Sequence, residues 1–199
     1  QDIFISSKID GLEPKSENSI DKIIKSVKKS IKNLNIEKLN LCFLHQNEIE
    51  IISDKYIKKG LKLLKEYGLV DEIGSSIYSL DELDFTIESE IYDWVQIPMN
   101  ITDTYFYNHI LKKKSNIKIA ARSIFLQGIL FQNENRIKRN LKSSNDLIAY
   151  IKNFKNKLRI TNKEFKLIAI SYLNYLSEIN MIIIGSSSPS HLKFFIDSI

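Results

Sequence analysis

The stretch LNLCFLHQ, residues 39–46, decides how the chain is read. Leu39, Leu41, Cys42, Phe43 and Leu44 make an apolar run too short for a helix, and His45 and Gln46 close it. A short apolar run with a polar end reads as a strand buried in a parallel sheet. Upstream, Ile20, Ile23, Ile24, Val27, Ile31 and Leu34 fall at helical spacing, with Ser16 as N-cap and Glu17 and Asp21 near the positive end. Downstream, SDKYIKKGLKLLKEYG (53–68) is a second amphipathic helix, with Lys62 and Lys65 near its end and Gly68 at C′.

The alternation runs along the whole chain. Strands are expected near 3–7, 39–44, 70–75, 93–97, 117–121 and 180–184, separated by helical patterns that include 143–157 and 161–178. Strands spaced by helices of this kind mean βαβ units and a parallel sheet. A doubly wound sheet and a (β/α)8 barrel both satisfy that pattern. The polar residues separate them. Lys8, His45, Ser75 with Ser76, Gln96 followed by Asn100, and Arg122 with Ser123 each close a strand, and the sixth strand runs into GSSSPSH (185–191). A barrel needs a polar residue at every C-terminal strand end, because all of them converge on one mouth. A doubly wound sheet would gather them at one switch point, usually with a Gly-rich first turn. The sequence has no GxGxxG and no P-loop. The barrel is the better fit.

Composition narrows the function. The 199 residues are 43% hydrophobic and 27% charged, ordinary for a globular domain, and one domain over residues 1–199 is expected. The net charge of +5 comes from lysines spread over helix faces rather than from a basic stripe with aromatics, so no nucleic-acid partner is expected. Cys42 is the single cysteine, so there is neither a disulfide framework nor a CxxC metal site. No metal and no membrane partner are expected, and a reducing cytoplasm is the expected location.

In order, ISSKID, LCFLHQ, LVDEIGSSIYS, WVQIPMN, IAARSIFLQGIL and IIIGSSSPSHL resemble the third to eighth barrel strands of the aldo-keto reductases. The resemblance implies an α/β chain, a TIM barrel whose first two βα units are absent. It also implies an NADPH- or NADH-dependent reduction of an aldehyde, ketone or sugar to an alcohol. Lys8 and His45 would be the family's catalytic lysine and histidine. Ser76 and Gln96 would bind the nicotinamide carboxamide. Arg122, Ser123, Gln127 and Gly128 would lie in the segment that wraps the pyrophosphate. Gly185, Ser186, Ser188 and His191 would hold the adenosine phosphate, at a helix start whose N–H groups favour an anion. A neutral His45 would donate a hydrogen bond to the oxygen on which charge develops.

The departures carry their own expectations. Ile77 stands where many members have an Asn, Arg122 where many have an aromatic, and Phe195 where an adenine-binding Asn is usual. Gly185 and His191 replace the Lys and Arg of NADP-preferring members, so NADP selectivity should be weak. The family's Asp and Tyr fall in the segment before ISSKID. The chain taken alone is therefore expected to reduce carbonyls poorly, and its open sheet edges are expected to favour self-association. A non-catalytic nucleotide-binding or regulatory homologue is the alternative.

Overall fold

The computed structural model describes residues 3–131, 135, 137–138, 145–186 and 188–197. Strands β1 (Ser6–Ile9), β2 (Leu39–Leu44), β3 (Val70–Ser76), β4 (Trp94–Pro98), β5 (Lys118–Arg122) and β6 (Ile179–Ile182) form one sheet in chain order. Between them lie α1 (Asn18–Leu34), α2 (Ile49–Ile52), α3 (Lys55–Glu66), α4 (Leu80–Glu88), α5 (Tyr105–Lys113), α6 (Asn145–Leu158) and α7 (Asn162–Tyr175). A 3₁₀ turn occupies Leu126–Phe131, and α8 (Pro189–Ile196) follows the last strand. This is the strand–helix series of a (β/α)8 barrel, with six of its units. Among the described residues no helix is long and apolar enough to cross a membrane.

Two compact units divide the chain: Gln1–Ile97 with Phe106–Ala120, and Pro98–Tyr105 with Ala121–Ile199. In the first, parallel pairing puts Ser7, Cys42 and Ile73 in one row and Ile9, Leu44, Ser75 and Val95 in another. Side chains alternate faces along a strand, so both rows lie on one face. Ile9, Cys42, Leu44 and Ile73 there join Ile23 and Val27 of α1 and Ile57, Leu61 and Leu64 of α3 in one core. Gly60 lets α1 and α3 approach, since a Cβ there would lie 2.8 Å from Ile23 Cδ1 and 3.2 Å from the Ile20 Cα. Cys42 sits in this core, and burial pushes its thiol up to about 12.

Helix ends follow their local chemistry. Asp54 caps α3 by accepting from the N–H groups of Tyr56 and Ile57. The same helix ends in a Schellman turn: Gly68 N–H donates to Lys65 O and Leu69 N–H to Leu64 O, with Gly68 at φ 65°. Ser79–Glu82 and Thr161–Glu164 form capping boxes at α4 and α7.

Three expectations are corrected. The first strand is Ser6–Ile9 rather than 3–7: Ile3 is 81% exposed, and Lys8 lies within the paired segment. Apolar composition alone does not choose the register; pairing with Leu41–Leu44 does. Ser16 does not cap α1. Glu17 occupies that position without a side-chain bond, and Ser16 contributes its carbonyl to Ser19 N–H instead. Ser75 does not share a face with Ser76: alternation turns it into the helix-covered core, where its Oγ has no hydrogen-bond partner. Positions 143–144 and Ser187 of the sequence reading lie outside the described residues.

Candidate active site

The opposite face of the first unit holds the polar side chains. Lys8, Phe43, Gly74 and Trp94 form one register row, and Ser76 pairs with Gln96 in the next row toward the C-terminal ends. Continuing the same alternation puts Asp10 and His45 on this face, two residues beyond Lys8 and Phe43. The His45 N–H donates to Ile9 O at 2.9 Å, which holds the backbone in register one residue past the end of β2. Gly74 is required in the row below: a Cβ there would meet the Phe43 ring at 2.5 Å and Trp94 Cβ at 3.0 Å. Trp94 is a packing residue with a satisfied indole, its Nε1–H donating to Glu72 at 2.6 Å.

These residues form two hydrogen-bonded groups. The Lys8 ammonium donates to Gln96 Oε1 at 2.7 Å, and Ser76 Oγ donates to the same oxygen at 3.3 Å. Ser76 and Gln96 are both buried. His45 Nδ1 and Asp10 Oδ2 lie 2.8 Å apart, with the side chains 45% and 59% exposed. That bond, assisted by the Gly11 N–H, holds the Asp10 carboxyl below the usual carboxylate range. Sequence reasoning missed Asp10, although its place two residues after Lys8 was the signal.

In the second unit, the C-terminal ends of β5 and β6 border a cavity of about 440 Å³. It is lined by Arg122, Ser123, Gly128, Lys166, Gly185 and Phe195, among others. Phe125 and Phe195 stack on its wall with centroids 5.4 Å apart and planes at 24°. The connection after β5 turns sharply, with φ 60° at Ser123 and 82° at Gly128. Among the described residues the lining carries two cations, Arg122 and Lys166, and no carboxylate, which suits a phosphate-bearing nucleotide. At the start of α8, Ser186 Oγ donates to Ser188 O at 2.9 Å, and Ser188 Oγ bonds Ser190 Oγ at 3.2 Å. Of Gln127 and His191 the structure describes the backbone alone.

Two other residues are assigned differently from the sequence. Asn100 organises a turn, its Oδ1 accepting from the N–H and Oγ1 of Thr102. His109, given no role by the sequence, is half-buried and paired with Asp84 at 2.7 Å.

The model of the aldo/keto reductase family matches residues 1–199. The chain belongs to that family. This aldo/keto reductase chain is similar to an aldo-keto reductase of Bacillus halodurans in its holo form, at TM-score 0.77 and 17% identity over 99% of this chain and 66% of that one. A second likeness is to MGS-M4, an aldo-keto reductase enzyme from a Medee basin deep-sea metagenome library, at TM-score 0.67 and 22% identity over 98% of this chain and 65% of the other. A third is to a mutant of Gox0644 solved in complex with NADPH, at TM-score 0.69 and 19% identity over 98% of this chain and 64% of the other. The chain thus spans just under two thirds of the solved relatives' length. No curated protein sequence matches it significantly.

Proposed function

We propose that the protein carrying this aldo/keto reductase chain is a nicotinamide-dependent oxidoreductase that interconverts a small carbonyl compound and its alcohol. The observation that carries the reading is the single polar face on which Lys8, His45, Ser76 and Gln96 project at the C-terminal ends of β1 to β4. NADPH or NADH, when bound, supplies the hydride. Ser76 and Gln96 would hold the carboxamide, exchanging their mutual hydrogen bond for bonds to it. Arg122, Ser123, Gln127 and Gly128 would hold the pyrophosphate. Gly185, Ser186, Ser188 and His191 would meet the adenosine phosphate, and Lys166 adds a cation that the sequence did not suggest. His45 would address the reacting oxygen. Lys8, an ammonium held on Gln96 of the same face, would lower the pKa of a neighbouring phenol so that it can act as the general acid.

Selectivity for NADP should be weak, because Gly185 brings no charge and a histidine at 191 is partly charged at best near neutral pH. β1 and β6 end the strand order, and Ile3 and Phe4 are exposed beside β1. Self-association through these edges is the assembly we expect of the chain by itself.

The test titrates the full-length protein with NADPH and NADH and follows cofactor oxidation against panels of aldehydes, ketones and sugars. Turnover with at least one panel, with the two cofactors' Kd values within about tenfold of each other, supports the reading. Binding without turnover favours a regulatory homologue. Failure to bind either cofactor rejects the reading.

A further inference from the structure

Helices α1 and α3 carry ten lysines against two carboxylates, Asp21 and Glu66. That is a charge of +8 in a chain of +5, so the rest of the chain carries −3. Along the sequence these lysines form two separate solvated helix faces, from which no membrane partner is expected. The fold joins them. α1 and α3 lie side by side over one face of the sheet, packed at Gly60 and Ile23. Lys25, Lys28, Lys29 and Lys32 of α1 and Lys59 and Lys62 of α3 are exposed. Among the described residues Lys22 pairs with Glu13 and Lys65 with Asp93, and no other lysine of the two helices has a carboxylate partner. We propose that this face docks the protein on an anionic membrane surface, its ammonium groups set against phospholipid phosphates.

Extent, chemistry and flanks favour that partner. The 17 residues of α1 span about 25 Å and packed helix axes lie about 8–10 Å apart, so the lysines spread over a field rather than a point. Such a field meets many headgroups at once, and each lysine near an anionic leaflet adds to the attraction. All ten basic residues are lysines. Compact, strongly hydrated ammonium groups suit diffuse attraction, whereas arginine serves where nucleic acid or an acidic protein is gripped in bidentate fashion. α1 has no aromatic residue, and the Tyr56 ring lies under Lys55 Nζ at 4.7 Å, so bases find no stacking platform among the lysines. Leu34 and Tyr67, 50% and 59% exposed, stand at the C-terminal ends of the two parallel helices. An apolar side chain and a phenol beside a lysine field fit the headgroup boundary. A groove of about 440 Å³ on α3, lined by Lys55, Lys58, Lys59 and Lys62 with Leu63 and Glu66, gives a headgroup a seat. Lys8 and His45 project from the opposite face of the sheet, so docking leaves them uncovered.

The test is co-sedimentation of full-length protein with vesicles of phosphatidylcholine alone and of an equimolar mixture with phosphatidylglycerol. Wild type should bind the mixed vesicles and not the neutral ones. It should be released between about 0.1 M and 1 M salt, where the Debye length falls from about 10 to 3 Å. Glutamine preserves helix propensity, so the combined variant K25Q, K29Q, K59Q and K62Q should fold and bind the mixed vesicles about a hundredfold more weakly. The same change at Lys112, Lys152, Lys157 and Lys163, with equal loss of charge, should cost at most about threefold, because the attraction fades within a Debye length. Lysine acetylation of wild type, read by mass spectrometry, needs no variant. Mixed vesicles should protect Lys25, Lys29, Lys59 and Lys62 and leave Lys152 and Lys157 reactive. No binding, equal binding to neutral vesicles, an equal loss in the control variant, or unprotected lysines on α1 and α3 overturns the proposal. Tighter binding to a duplex or single-stranded oligonucleotide than to mixed vesicles at the same salt also overturns it and gives the face to nucleic acid.

Discussion

The two units of the chain present their polar groups in different ways. In the first, the side chains assigned to the reaction stand on hydrogen-bonded strands, and the face behind them is packed against α1 and α3. In the second, Arg122, Ser123, Gly128, Lys166 and Gly185, all assigned to the cofactor phosphates, line a cavity built mainly from the irregular connections after β5 and β6. Reaction geometry tolerates little displacement, so it suits residues whose backbone is fixed by a sheet. Phosphate recognition by backbone N–H groups and cations tolerates more, and loops supply it. Damage to Lys8 or His45 in the first unit should therefore appear in turnover, and damage to the cavity of the second in binding.

The largest effect expected is on turnover. His45→Ala should lower kcat by about 10²–10³-fold, because it removes the side chain proposed to hydrogen-bond the reacting oxygen. Steady-state kinetics with the preferred cofactor checks this, and a loss expressed only in KM would break the comparison. Next comes packing under the reaction face. Gly74→Ala pushes a methyl group into the Phe43 ring and against Trp94, and overpacking of this kind costs about 1–3 kcal/mol, visible as a lower urea midpoint.

The smallest effect concerns the α3 cap, which lies away from both sites. Asp54→Ala leaves the N–H groups of Lys15, Tyr56 and Ile57 without their acceptor and should cost about 1–2 kcal/mol, with kcat unchanged. Burial pushes the Asp54 carboxyl up. The three backbone N–H groups and the Lys55 charge more than reverse this and leave it below its ordinary value. A carboxylate lowered on folding contributes stability that is present above its unfolded pKa of about 3.9 and lost as pH falls through the folded value. Wild type should therefore lose more stability than Asp54→Ala between pH 5 and the acid range, as denaturant melts at stepped pH would show.

The difference between the units also explains what the sequence disclosed. His45, Ser76 and Gln96 were legible because a barrel places polar residues at strand ends and each strand was marked by its apolar run. β1 was misplaced because Ile3, Phe4 and Ile5 look like strand residues, although Ile3 and Phe4 are exposed. Asp10 was hidden inside a segment read as a strand breaker; moving the strand to Ser6–Ile9 brings it onto the face of Lys8. Lys166 carried no sequence signal, since one of 29 basic residues on an amphipathic helix looks like any solvated lysine. Only the fold brings it to the cavity wall. Gly74 likewise looks like any glycine until the register puts Phe43 and Trp94 beside it.

The division of labour is tested most directly by measuring NADPH affinity and turnover on the same samples of wild type, Lys8→Met and Gly185→Trp full-length protein. Gly185 has no atom within 4 Å of where its Cβ would be, so the tryptophan can occupy cavity space without forcing the backbone. Lys8→Met should lose turnover by about 10²-fold or more while keeping Kd within about threefold, because it removes the charge that tunes the general acid rather than binding. Gly185→Trp should weaken NADPH binding by about a hundredfold, roughly 2.7 kcal/mol. Loss of NADPH affinity in Lys8→Met equal to its loss of turnover, or wild-type affinity in Gly185→Trp, would contradict the account.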